Sequence, residues 1–172
     1  SQVEKMEHVM ASSSSLLTRY FSGLIIQITI VTVMVSAGLA IIGSEHALLL
    51  GFLAGIFNLI PYLGPIASTA LGLLIVATTY TGDPSGWGLQ ILYTMIVYGI
   101  AQLVDNLFTQ PFIFSNRVMA HPLEIFIVIS MAGLLAGVSG MVLAIPGYTL
   151  LRIVAREFLS GFKIIDALTE NI

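Results

Sequence analysis

Residues 20–42, YFSGLIIQITIVTVMVSAGLAII, run for 23 positions without one charged side chain. At 1.5 Å per residue a helix of that length covers the ~30 Å hydrocarbon core of a bilayer. Arg19 and Tyr20 stand at its head as interfacial anchors. The rest of the chain has the same character. Only 9% of its 172 residues are charged and 57% are hydrophobic, against about 25% charged in an ordinary globular domain. The mean hydropathy is +1.00. So few ionisable side chains do not furnish the surface of a soluble domain, and the fold class is an all-α polytopic membrane protein.

Composition also closes several function classes. A net charge of −3 with six scattered Lys and Arg does not describe a nucleic-acid binder. Cysteine is absent, which removes disulfides and thiolate metal sites. Residues 1–19 hold Glu4, Lys5, Glu7 and His8 with Val3, Met6, Val9 and Met10 at helical spacing. They read as an amphipathic N-terminal segment or a frayed terminus, ahead of a transmembrane domain at 20–150 and an amphipathic cytosolic segment at 151–172. The opening residues resemble the interior of a longer protein rather than a secretory signal.

One apolar run carries polar groups through its middle. In YGIAQLVDNLFTQP, residues 98–111, Gln102, Asp105, Asn106, Thr109 and Gln110 fall at i, i+3, i+4, i+7 and i+8 of a helix. The opposite face is Ile100, Leu103, Val104, Leu107 and Phe108. A carboxylate turned toward lipid at mid-depth costs about 2.5–3.5 kcal/mol even on lenient scales, so the stripe points into protein or a wet cavity. It is a candidate substrate or ion pathway, ended or kinked by Pro111. Gln27, a lone polar residue in the first span, reads as an interhelical hydrogen bond.

Two further apolar runs are broken. Residues 47–80 form two arms of about 15 residues, each short of the bilayer core, around a tip containing Pro61, Tyr62, Gly64 and Pro65. Residues 123–150 break at Gly137, Ser139 and Gly140, with Pro146 beyond. Prolines without an N–H make straight helices improbable at such places, and each run reads as a re-entrant hairpin, the alternative being full spans, at 47–80 a pair joined by a tight turn. Asn58, at the mouth of the first tip, caps a half-helix or lines the pathway. Gly51 and Gly55 form a GxxxG pair for close packing. Basic residues lie in 1–19, at Arg117, and at Arg152, Arg156 and Lys163, while the loops 43–46 and 81–87 have none. The positive-inside rule puts the basic segments in the cytosol, which closes only if both broken runs return to their own side. Span plus hairpin then occurs twice in opposite orientation, a recurrent transporter design.

The residues NLIPYLGP at 58–65, Gln102 with Asn106 and QP at 110–111, HP at 121–122 and GVSGMVLAIP at 137–146 resemble the signature set of the AI-2E family of transporters, in order and spacing from about residue 16 onward. The resemblance implies a multi-pass inner-membrane transporter with a cytosolic C-terminus. It would move a small polar solute such as autoinducer-2, or exchange a monovalent cation or proton. It also implies that the chain is a portion of a longer transporter, since the family's N-terminal helices have no counterpart. Expected partners are the bilayer, the solute or cation, and further copies of the chain, with no nucleic acid; no cofactor, metal or catalytic residue is expected. The alternative is a structural or assembly subunit of a membrane complex, in which the stripe is a hydrogen-bonded helix interface. The GVSG string at 137–140 also fits an intramembrane serine protease, but His8, His46 and His121 all lie in polar segments away from Ser139. An aspartyl protease needs two carboxylates and Asp105 is alone.

Overall fold

The computed structural model describes residues 2–113 and 122–158, and all of its regular elements there are helical. In order they are α1 (Gln2–Ile41), α2 (Ala47–Phe57), α3 (Leu63–Thr79), a short 3₁₀ turn (Pro84–Gly86), α4 (Trp87–Val104), a π-helical turn (Asp105–Thr109), α5 (Gln110–Ile113) and α6 (Pro122–Phe158). By length and composition alone, three helical stretches among the described residues suffice to cross a membrane: Leu17–Ile41, Pro84–Thr109 and Leu123–Ala155, the last of them broken at Ala136 and Gly137. Two compact units form, one from Leu24–Phe112 and one from Ser1–Gly23 with Ile113–Ile172. Arg117 and Lys163, on which the orientation partly rests, and His121 lie outside the described residues.

In the unit Leu24–Phe112 each helix buries one narrow stripe. Leu24, Gln27, Val31, Val35 and Leu39 are the buried positions of α1; Ala47, Leu50, Gly51, Ala54 and Gly55 those of α2. Gly64, Ser68, Gly72 and Val76 follow on α3, and Thr94, Tyr98 and Ala101 on α4. The outward faces carry Ile25, Val33, Leu48, Ile66, Leu74, Leu92, Ile96 and Leu103. The buried stripes mix small and polar residues with Leu24, Val31, Val35, Leu39, Leu50, Val76 and Tyr98 while large aliphatics cover the outside, which suits a bundle solvated by lipid, where close backbone approach contributes much of the packing. Gly51 and Gly55 are the tightest example. A Cβ on Gly51 would sit 2.7 Å from the Thr32 carbonyl oxygen, and one on Gly55 2.7 Å from that of Ile28. On α4, Val97 packs against Gly38 and Tyr98 against Gly72.

The ends of the unit are closed by local chemistry. At the end of α1, Gly43 takes φ +75, Ser44 N donates to Leu39 O and Gly43 N to Ala40 O, a glycine-terminated cap. Trp87 Nε1 donates to Ala77 O at 3.0 Å, joining the start of α4 to α3, and Thr81 Oγ1 to Glu45 Oε1 at 2.7 Å, tying the two short loops together.

Several expected boundaries differ. The segment before the first span is helical and continuous with it from Gln2. The first tip lies at 58–62 rather than 61–65, because Gly64 and Pro65 enter the first turn of α3, where a missing N–H costs no hydrogen bond. Pro111 does not end its helix, which continues to Ile113 after the π turn.

The other unit contains α6, and it is not straight. Glu124 accepts a hydrogen bond from Tyr148 Oη, 24 residues away, which a straight helix would place about 36 Å off. A Cβ on Gly133 would meet the side chain of Met141, and one on Gly140 the Ala132 carbonyl. The chain therefore reverses at Ala136 (φ −137, ψ 19) and Gly137 (φ 60, ψ −145), giving two helical arms. The break is thus one step earlier than expected. Gly137 holds the backbone conformation open almost only to glycine, while Ser139 and Gly140 are helical and Gly140 serves close approach. Pro146 is kept within the second arm. Arg152 lies over the Tyr148 ring, 5.7 Å from its centroid, and Tyr20 Oη donates to Val142 O at 2.7 Å.

Candidate functional site

Three elements of the unit Leu24–Phe112 converge on one carboxylate. Asp105 is fully buried, and its Oδ2 accepts from Gln27 Nε2 of α1 at 3.0 Å, from Asn58 Nδ2 at the end of α2 at 3.1 Å, and from Gln110 Nε2 at 2.9 Å. Its Oδ1 is equally buried and has no hydrogen-bond partner among the described residues. No Lys or Arg occurs anywhere between residues 24 and 112. Neutral amide donors therefore do the work that a basic side chain would otherwise do. Three amide donors on one oxygen satisfy a polar group that would be costly to bury unpaired.

The geometry follows from the chain. Gln27 lies on the buried stripe of α1, between Leu24 and Val31. Asn58 follows the last residue of α2 in helical conformation (φ −65, ψ −7), and its side chain reaches Asp105 instead of capping α3. The capping role is thus replaced by a cross-bundle hydrogen bond. Gln102 Nε2 makes a long 3.5 Å contact to Asn58 Oδ1.

Gln110 owes its position to Pro111. A proline lacks the N–H that would bond the carbonyl four residues back, and its ring crowds that carbonyl. The preceding turn widens, and the Gln110 N–H bonds to Asp105 O in a five-residue π turn. Residues five apart are thereby stacked, and the Gln110 side chain meets Asp105 while also donating to Asn106 Oδ1 at 2.9 Å.

The five-residue stripe is therefore not uniform. Asp105 and Thr109 are buried, Gln102 and Gln110 half-buried, and Asn106 is exposed. Ile100, Leu103, Leu107 and Phe108 lie outward, each more than half exposed. Gln27 read in the sequence as an interhelical hydrogen bond without a named partner, and that partner is Asp105.

The tip beside the site is tight and strained. Leu63 N donates to Pro61 O at 2.7 Å, closing a γ-turn with Tyr62 at its centre (φ 64, ψ −52). Tyr62 is the one non-glycine residue with positive φ among those described. A Cβ at Gly64 would collide with the Phe57 carbonyl, so the two arms meet there only through glycine. Pro65 O accepts from Ser68 and Thr69 hydroxyls. Gly137, Ser139 and Gly140 belong to the other unit, where Ser139 Oγ donates to Ala136 O at 2.7 Å. No group of three or more His, Asp or Glu side chains among the described residues gathers to hold a metal.

A family model described as AI-2E family transporter matches residues 1–160. The chain is 31% identical over 139 residues to "Putative transport protein YueF" of Bacillus subtilis, covering 81% of this chain and 36% of that protein. It is 29% identical over 140 residues to "Putative transport protein YrrI" of the same organism, covering 81% and 38%. It is also 29% identical over 132 residues to "Putative transport protein MT0215" of Mycobacterium tuberculosis, covering 77% and 34%. The chain thus spans little more than a third of the length of these relatives. No solved structure matches it.

Proposed function

The chain belongs to the AI-2E transporter family, and on that premise we propose that it supplies the ion- or proton-coupled centre of a transporter for a small polar solute. The supporting observation is the fully buried Asp105, with three amide donors on one oxygen and none on the other, in a bundle whose exterior is apolar. Asp105 carries the coupling proton or a monovalent cation, and Gln102, Asn106, Thr109 and Asn58 orient the solute along the stripe. Autoinducer-2 or a similar small polar compound fits a pathway lined by amides and hydroxyls.

In this reading the α2–α3 pair and the two arms of α6 are re-entrant hairpins of opposite orientation in the inner membrane. At about 16 Å and 25 Å, α2 and α3 each fall short of the ~30 Å core. The C-terminus then faces the cytosol, and several copies assemble. The test is flux in proteoliposomes across a panel of small polar solutes and monovalent cations, with and without an imposed pH gradient. Solute movement that follows the gradient supports the reading; movement of no solute or cation under any gradient contradicts it.

A further inference from the structure

The side chain that fastens the α2–α3 tip to the bundle is the same one that sits on the buried carboxylate. Asn58 Nδ2 donates to Asp105 Oδ2 at 3.1 Å, while its own oxygen receives only the long 3.5 Å contact from Gln102. Among the described residues the backbone hydrogen bonds around the turn are local, Leu59 N to Ile56 O, Ile60 N to Phe57 O, Leu63 N to Pro61 O and Gly64 N to Ile60 O, with Gly64 packed on the Phe57 carbonyl. These bonds surround a residue in a costly conformation, Tyr62 at φ 64. Such a turn persists where its surroundings over-determine it, and here the hydrogen bond from Asn58 to Asp105 is part of that surrounding.

We infer that the charge on Asp105 latches this tip: the ionised carboxylate holds Asn58 down, and a proton arriving at Oδ1 releases residues 58–62. The proton comes from water, forms an O–H bond at the unpartnered oxygen and removes the charge that strengthens all three amide contacts. Oδ1 is the atom available to receive it, since Oδ2 is already occupied by Gln27, Asn58 and Gln110. A metal cation is less suited, because the three amides present nitrogen rather than oxygen to the carboxylate, and a hard cation needs several oxygens. The groups facing Asp105 are Gln27 from α1, Asn58 from the tip and Gln110 from its own helix, none of them titratable. The nearest titratable neighbour on α4 is Tyr98, which packs on Gly72. Asp105 is thus the group through which pH acts on the tip.

This inference rests on the reading of Asp105 as the coupling group, but its test does not use flux. In the reconstituted protein, which is free of cysteine between residues 1 and 172, Ile60→Cys is labelled by a small water-soluble thiol reagent. Its rate is divided by that of Ser85→Cys, in the exposed loop, at the same pH. In choline buffer the normalised rate is expected to rise about tenfold on acidification, the change that losing one charged hydrogen bond produces. It should be fast and independent of pH when combined with Asp105→Asn or with Asn58→Leu, circular dichroism confirming the fold in each. Equal rates in parent and Asp105→Asn at every pH overturn the latch. So does a tip freed by Asp105→Asn but not by Asn58→Leu. A rate that answers to sodium or potassium at fixed pH, and not to pH in choline, replaces the proton with a metal cation. If Asp105→Asn fails to fold, the pH response of the parent against the flat response of Asn58→Leu decides alone. A tip that moves while flux ignores the gradient keeps the latch and removes the coupling role.

Discussion

Replacing Gln27 by Met removes one of the three donors on Asp105 Oδ2 while keeping an unbranched side chain of similar reach. The bond is 3.0 Å long, with Gln27 4% and Asp105 0% exposed. A hydrogen bond to a charged group is worth about 1.5–3 kcal/mol, whereas neutral interhelical bonds in membranes average about 0.6 and reach about 1.7. Asn58 and Gln110 still serve Oδ2 after the change, so the cost of about 3–5 kcal/mol for stranding a buried charge does not apply. The expected coupling is about 1–2 kcal/mol, between the membrane average and the charged-group ceiling. The raw effect of Gln27→Met is smaller, since methionine is better solvated by the apolar bundle. A double-mutant cycle with Asp105→Leu isolates the pair, read by denaturant titration in mixed micelles. Coupling within about 0.3 kcal/mol of zero, the ordinary additivity error, would show that the amide contact contributes no charge stabilisation.

Gly51→Leu forces α2 away from the Thr32 carbonyl, which a Cβ would approach to 2.7 Å; it should cost about 1–3 kcal/mol as overpacking, measured by the thermal midpoint in detergent. Gly137→Ala places a Cβ at φ 60, ψ −145 and should cost about 1–3 kcal/mol of strain, whereas an unchanged midpoint would show that the reversal of α6 does not require glycine. Pro111→Ala restores the missing N–H, lets the turn tighten to α-helix and swings Gln110 off Asp105; oxygen-17 or carbon-13 spectra of labelled Asp105 should change, and identical spectra would separate the π turn from proline.

The helical class and the membrane environment were legible because 20–42 is a long apolar run and only 9% of the chain is charged. Both chain breaks were also legible from Pro61, Pro65, Gly137 and Gly140, since those residues restrict backbone geometry locally. Their placement was less so. Whether Gly64 forms the tip or the first turn of α3, and whether Gly137 or Gly140 takes the positive φ, depends on how the two arms pack. Asp105 stood out because a carboxylate is costly in an apolar helix. Its partners were less so: Gln27 lies 78 residues away in sequence, and Gln110, already grouped with Asp105 on the polar stripe, bonds to it across a π turn that ideal 3.6-residue periodicity does not contain. The same mismatch explains Asn106, which an α-helical wheel groups with Asp105 and the widened turn leaves exposed.

The most direct test of Asp105 as the coupling group is the pH profile of flux after Asp105→Asn in proteoliposomes. Asparagine keeps the shape and accepts hydrogen bonds but cannot ionise. The substituted protein should insert and fold as the parent does, and should lose pH-dependent or ion-coupled movement of solute. Transport at the parent rate, with the same dependence on pH, would make Asp105 a structural contact between helices and contradict the coupling mechanism.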